Sequence, residues 1–297
     1  MSMTANANPA PILRGEPAPA RLAIFESHVE THRLFRRMIT TADGQSRQIL
    51  GAVPKCKAPT GGHAILYMLD GNAAFDALTA EHLATVPDLV LIGIGYDTPF
   101  RFDPLARSLD YTPATAGKGP APDPHRPERM IGGADIFLDI LRGELQAAAE
   151  RGLAVNPTRR AIWGHSMAGL CVIYSLLRQP GAFARYISAS PSIWWSNEWM
   201  LDFERRAPHF TDTAGDVLIM LGDSERRSSP TGPHWDGPAP HTLEMIERLG
   251  RRAGLAVFSR ILSGLGHAAT LHASIQPALA FAGYCEEIQH FSCSRED

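Results

Sequence analysis

The stretch Ala161-Ile162-Trp163-Gly164-His165-Ser166-Met167-Ala168-Gly169-Leu170 constrains this chain more than any other part of it. A short apolar run ends in a glycine, and a serine follows two residues on. Small residues come next, before a helical pattern of Leu170, Val172, Ile173, Leu176 and Leu177. That is the layout of a nucleophile elbow, in which a strand turns sharply into a helix and holds a serine Oγ above the sheet edge. The turn strains the serine backbone, so bulky side chains two positions before and after it would clash. Gly164 and Ala168 occupy those positions. The strict motif, G-x-S-x-G, closes on glycine; here alanine stands in that place and Gly169 comes one step later. An ordinary strand–loop–helix junction has the same outline, and the rest of the chain decides between the two.

An elbow needs a sheet to belong to. Residues 33–41 and 47–53, separated by Asp43-Gly44, predict an opening β-hairpin. The apolar run 64–69 ends in Asp70-Gly71-Asn72, with a helical stretch through about residue 84. Residues 88–95 (DLVLIGIG) are almost continuously apolar, the pattern of a parallel strand buried on both faces. From 97 to 130 no periodicity is sustained, and Pro113, Pro120, Pro122, Pro124 and Pro127 crowd one half; the segment predicts a long loop over the mouth of a pocket. Helical spacing resumes at Phe137, Ile140, Leu141 and Leu145. Beyond the elbow, strands at 185–189, 216–221 and 256–262 alternate with helices near 197–206, 241–252 and 271–288. Such alternation predicts an α/β fold, a mostly parallel central sheet with helices on both faces. The whole reads as a single domain over 25–297 behind a disordered Ala- and Pro-rich leader, 1–24.

Composition narrows the function classes. A net charge of −3 over 297 residues argues against a nucleic-acid binder, whose basic face would dominate the balance. No apolar run reaches the length of a membrane span, and the leader lacks the charged-then-apolar architecture of an export signal, so a cytoplasmic protein is expected. Cys56, Cys171, Cys285 and Cys293 are too few and scattered for a disulfide framework. Cys285 and Cys293 lie near enough in sequence to pair, but free thiols in a reducing compartment are the expectation.

A serine nucleophile needs a base, and in α/β-hydrolases the partners follow in the order Ser, acid, His at the C-terminal edge of the sheet. Of twelve histidines, His267 lies just past the last predicted strand in the turn Ser263-Gly264-Leu265-Gly266-His267 and is the candidate base; His272 falls a turn into the last helix. His165 adjoins the serine, but neighbours at so sharp a turn point apart. Two carboxylates, Asp223 and Glu225, follow the strand at 217–221, and Asp236 lies farther on in a proline-rich loop. Glu225 is favoured for its reach, with Asp223 or a Ser–His dyad as alternatives. The oxyanion hole needs backbone N–H groups. Met167, after the nucleophile, is one candidate donor, and Gly71 and Asn72, after the strand at 64–69, are the others, with Asp70 as a turn or capping residue.

Seven segments then occur in one order: YMLDGN (67–72), IGIGY (92–96), SLDYTP (108–113), GGADIF (132–137), GHSMAGL (164–170), SASPSIWW (188–195) and LGHAA (265–269). From about residue 30 to 290 the chain resembles the bacterial siderophore esterases of the enterobactin, salmochelin and bacillibactin type, in the esterase-D-like branch of the α/β-hydrolases. The resemblance implies hydrolysis of catecholate trilactone siderophores, ferric or iron-free, with Ser166 and His267 as the catalytic pair. It also implies a substrate contact for Arg107, where relatives carry an arginine. Some relatives lack a well-placed third acid, which leaves Glu225 open. Met167 and Ala168 stand where relatives often show an aromatic and a glycine, and the leader lacks the export signal or anchor of periplasmic members.

A ferric tris-catecholate has a charge of about −3 and three aromatic faces, so its pocket should join cations to aromatics. Arg101, Arg107, Arg126, Arg129, Arg226 and Arg227 supply candidates, with Trp194, Trp195 and Trp235 near the same edge. No His, Cys and acidic cluster has metal-ligand spacing, so no protein-bound metal or other cofactor is expected and iron would arrive with the substrate. Two other readings stand beside this one: a general carboxylesterase or acyl-thioester hydrolase, which needs no arginine-lined pocket, and a non-catalytic ferric-siderophore binding protein, which needs no Ser–His pair.

Overall fold

The computed structural model describes residues 18–115, 119–210, 214–227 and 234–283. Most of the leader, the end of the last expected helix, Cys285 and Cys293 lie outside them. Eight strands form one sheet: β1 (His32–Thr40), β2 (Ser46–Pro54), β3 (His63–Leu69), β4 (Val90–Tyr96), β5 (Val155–His165), β6 (Arg185–Ala189), β7 (Gly215–Gly222) and β8 (Leu255–Leu262). Their spatial order is β1-β2-β4-β3-β5-β6-β7-β8, and β2 alone runs antiparallel to its neighbours. The fold is the expected α/β-hydrolase architecture.

Alternation along each strand explains why the central strands read as unbroken apolar runs. In β3, Ile65, Tyr67 and Leu69 face one core layer while Ala64, Leu66 and Met68 face the other, and all six are buried. One layer is closed by the helix after the elbow, and the other by helices that precede β4 and end the described chain. The helices that matter below are α1 (Gly71–Ala77), α2 (Pro104–Tyr111), α3 (Met167–Arg178), α4 (Trp195–Arg206), α5 (Pro240–Gly250) and α6 (Ile275–Gly283).

The long loop expected at 97–130 is a correction. It holds α2 and a small hairpin of Ala121–Asp123 with Arg126–Ile131. The start of α2 is well signalled: Asp103 accepts the N–H groups of Leu105 and Ala106, and Pro104 sits at the first helical position. Its buried residues are Ser108, Asp110 and Tyr111, so the inward face carries one apolar residue and two polar ones.

Register brings the functional loops to one edge. Met68 pairs with Trp163, Trp163 with Ile187, Ile187 with Leu218, and Leu221 with Ile261. The chain therefore leaves β3, β5, β6, β7 and β8 on the same side, carrying Asp70, Ser166, Ser190, Glu225 and His267. Among the described residues no helix is long and apolar enough to cross a membrane.

Candidate active site

The serine at the end of β5 sits at φ 61°, ψ −116°, a conformation that costs a non-glycine residue on the order of 1–3 kcal/mol. Surrounding bonds hold it there. Its N–H donates to the Ala189 carbonyl (2.9 Å), and its own carbonyl accepts from Ser192 N and Leu170 N (both 3.0 Å). A Cβ on Gly164 would lie 2.5 Å from the Ala168 backbone, and one on Gly169 would lie 2.8 Å from Ser188 Oγ. These two glycines let α3 seat against β5 and β6. Ala168 is fully buried beside them, so its methyl group is accommodated where the strict motif has glycine.

Ser166 Oγ lies 2.9 Å from His267 Nε2, and His267 Nδ1 lies 3.2 Å from Glu225 Oε2. With Nδ1–H donated to the carboxylate, Nε2 is left to accept the serine proton, the tautomer that the hydrogen-bond network assigns. Glu225 is buried at 3 % exposure. Its Oε1 accepts from Ser190 Oγ (2.6 Å) and from the Gly222 N–H (2.9 Å). Burial pushes this carboxyl up, but hydrogen bonds from His267, Ser190 and Gly222 outweigh it and hold the group below the usual carboxylate range.

The other carboxylates have other work. Asp223 accepts the Gly264 N–H (2.6 Å) and so braces the turn leading to His267. Asp236 pairs with Arg226 (3.1 Å), and His272 meets Arg101 (3.0 Å). His165 is not free to act as a base: its Nε2 lies 2.9 Å from the His267 carbonyl and 3.1 Å from Thr270 Oγ1. Burial, with the neighbouring His267 imidazole adding, pulls it down to about 3, so it stays neutral behind His267. Thr270 Oγ1 also donates to the His267 carbonyl (2.7 Å) and lies 2.7 Å from Ser190 Oγ. Ser190, Thr270 and His165 thus tie the His267 loop to Glu225. Sequence reasoning missed Ser190 and Thr270 because buried hydroxyls in S-A-S-P-S or after G-H-A-A carry no spacing signal.

Met167 and Gly71 begin α3 and α1, where first-turn N–H groups have no acceptor within their own helix. Asn72 is already committed through its side chain: Nδ2 donates to the Tyr96 and Thr98 carbonyls (3.2 and 3.0 Å), and Oδ1 accepts the Tyr96 N–H (3.0 Å). Only its backbone N–H remains for an anion. The capping role considered for Asp70 is corrected: its side chain makes no cap bond and instead takes two donors of Arg107, Nε at 3.1 Å and Nη2 at 2.7 Å. That edge of Arg107 is therefore not open to substrate.

Of the tryptophans, Trp195 packs into the core, while Trp194 is half-buried. The Arg227 guanidinium stacks 3.2 Å from the Trp194 ring centroid and 5.8 Å from that of Trp235. Arg101 pairs with Asp76 (3.2 Å), but Arg227 meets no carboxylate among the described residues, its Nε is unpartnered, and burial pulls its pKa down. A cavity of about 450 Å³ opens beside α2, lined among others by Arg47, Tyr96, Asp110 and Met130. Ser166, Glu225 and His267 do not line it, so the side-chain constellation marks the site and the cavity does not. Among the described residues no group of His, Cys, Asp and Glu is arranged to hold a metal ion.

These charges set a pH dependence. Glu225 stays ionised and His165 neutral well into the acid range. The mechanism needs an imidazole nitrogen free to accept the serine proton, so for a neutral ester kcat/KM is expected to fall as pH is lowered. A flat profile under chemistry-limited conditions would count against His267 as the base.

Residues 42–231 match the family model described as "Putative esterase". The ferri-bacillibactin esterase BesA of Bacillus subtilis is 30% identical over 269 residues, 83% of this chain and 88% of that protein. The apo-salmochelin esterase of Escherichia coli O6:H1 is 32% identical over 250 residues, 80% of this chain and 78% of that one. The solved structure of the enterobactin and salmochelin hydrolase IroE superposes with a TM-score of 0.71 at 26% identity, over 88% of this chain and 98% of that chain. The chain belongs to this esterase family and is a carboxylic ester hydrolase.

Proposed function

We propose that this esterase hydrolyses the backbone esters of catecholate trilactone siderophores, with Ser166 as nucleophile, His267 as general base and Glu225 as the acid that orients it. Ser166 Oγ attacks the ester carbonyl carbon while its proton passes to His267 Nε2. The carbonyl oxygen becomes an oxyanion facing the N–H groups of Met167 and of Gly71 or Asn72. The C–O bond to the leaving unit then breaks, and the proton on Nε2 passes to the departing alkoxide. Water, deprotonated by the same nitrogen, cleaves the acyl-enzyme and restores the serine. Glu225 balances the imidazolium in both halves.

One observation carries the chemistry: the continuous line Ser166 Oγ, His267 Nε2, His267 Nδ1, Glu225 Oε2, with gaps of 2.9 and 3.2 Å. The substrate class draws support from the nearly full-length likeness to esterases named for such siderophores. It draws further support from Arg227, a cation without a carboxylate partner among the described residues, stacked on Trp194 beside Trp235. A catecholate ring presents both an anionic edge and an aromatic face, and this surface offers a counterpart to each. A general carboxylesterase would use the same Ser–His line without need of that surface.

The two are separated by Arg227→Ala. The change is expected to lower kcat/KM on a tris-catecholate lactone by about 10-fold, with a much smaller effect on nitrophenyl acetate, which has no anion to engage. Added salt should weaken wild-type turnover of the anionic substrate selectively. Equal effects of Arg227→Ala on both esters would favour the general-esterase reading.

A further inference from the structure

The turn from β3 into α1 is held in an uncommon shape. Asp70 sits at φ 49°, ψ 49°, in the left-handed region, and its side chain is buried. Asparagine and aspartate tolerate that region better than most residues, but something must hold the chain there. Three contacts do so. The Asp70 N–H donates to Tyr111 Oη (2.9 Å). The Asp70 carboxylate takes Nε and Nη2 of Arg107. The Arg107 guanidinium is itself lodged between the rings of Phe102 and Tyr111, 5.1 and 5.8 Å from their centroids. Tyr111 is fully buried, edge-on to Phe137 at 5.3 Å, so it is a fixed point of the core.

The turn sits beside the reacting serine. Met68 pairs with Trp163 across β3 and β5, so the turn after Leu69 leaves the sheet at the same edge as His165 and Ser166. Gly71 has no lateral freedom: a Cβ there would lie 2.6 Å from the Gly93 carbonyl carbon on β4. With Gly71 pressed onto β4 and Asp70 clamped from α2, the direction of the first-turn N–H groups of α1 is set.

We infer that Arg107 and Tyr111 are positioning residues that aim the α1 N–H groups at the oxyanion, acting through Asp70 and not by touching substrate. This rests on the serine-esterase reading above and assigns Arg107 a role other than catecholate binding. A clamp of this kind acts on transition-state charge, so its loss appears in kcat, equally for neutral and anionic esters. A substrate-binding arginine would show in KM and for the anionic ester alone.

The test is Tyr111→Phe, which removes one oxygen from a buried ring, together with Arg107→Lys and Arg107→Met. Each is assayed on nitrophenyl acetate and on a tris-catecholate lactone, with the melting temperature recorded. For Tyr111→Phe a fall in kcat of about 10- to 100-fold is expected on both esters, with KM changed by less than about 3-fold. Affinity for a trifluoromethyl ketone, whose adduct with Ser166 carries an oxyanion, should weaken by the same factor, while affinity for the product carboxylate holds. Arg107→Lys, which keeps a donor for Asp70, should retain more activity than Arg107→Met. An unchanged kcat in folded Tyr111→Phe overturns the inference, as does an Arg107→Met defect confined to KM or to the anionic ester. If Tyr111→Phe does not fold, the Lys and Met variants decide alone. Fluorophosphonate labelling of wild-type Ser166 keeps the outcomes apart: labelled and active wild type with indifferent variants sinks only the clamp, whereas unlabelled wild type sinks both readings.

Discussion

Ser166→Ala is expected to lower kcat by roughly 10⁴- to 10⁶-fold, or about 5–8 kcal/mol of barrier, and to leave the fold intact. The magnitude follows from what the hydroxyl does. Without it there is no acyl-enzyme, and the imidazole, its acid and the N–H groups can assist only a slow attack by water. Folding should survive because, among the described residues, the Oγ bonds only to His267 (2.9 Å) and Ser192 (3.3 Å), and its loss opens no cavity in the core. The strained backbone at φ 61° is the same for alanine as for serine. The measurement is turnover of nitrophenyl acetate by wild type and variant at matched melting temperature. Activity within about tenfold of wild type would remove Ser166 from the mechanism.

Glu225→Gln is expected to lose about 10³- to 10⁴-fold, far more than Asp223→Asn. The two donors at Oε1, Ser190 Oγ and the Gly222 N–H, require an oxygen at that position. A glutamine must therefore keep its carbonyl there and turn its NH₂ toward His267 Nδ1. The imidazole then accepts at Nδ1 and carries its proton on Nε2, facing Ser166, so it cannot take the serine proton. Among the described residues the Asp223 side chain bonds only the Gly264 N–H and Ser224 Oγ, and an amide there keeps an oxygen for that N–H. Small and equal losses in both variants would instead describe a Ser–His dyad.

Much of this molecule could be read from its residues, for physical reasons that also mark where reading stopped. Strands buried on both faces must be apolar at every position, so β3, β4 and β5 announce themselves, and the elbow needs small residues at fixed offsets from the serine. The positions of Ser166, His267 and Glu225 follow from strand ends. Helix α2 escaped because Ser108 and Asp110 share its buried face with a single apolar residue, Tyr111, and a polar side chain looks the same whether it meets solvent or Asp70 and Arg47. Arg107 was visible as a cation, but its partner lies 37 residues away on another element, so a side chain locked onto Asp70 reads in sequence as one open to substrate. Trp194 and Trp195 are adjacent and chemically alike. Only the turn before α4 sends one into the core and leaves the other beneath Arg227. The hydroxyls of Ser190 and Thr270 are 80 residues apart in sequence and 2.7 Å apart in space.

The central claim, a serine esterase acting on catecholate trilactones, is tested most directly by the products themselves. Wild type and Ser166→Ala are incubated with a cyclic tris-catecholate trilactone, iron-free and ferric, and the mixture is resolved by mass spectrometry. The account predicts the ring-opened trimer, heavier than the lactone by one water, followed by shorter fragments each released by one further hydrolysis, and none of these above background with Ser166→Ala. An intact trilactone left by wild-type protein that still hydrolyses nitrophenyl acetate and is labelled at Ser166 would contradict it.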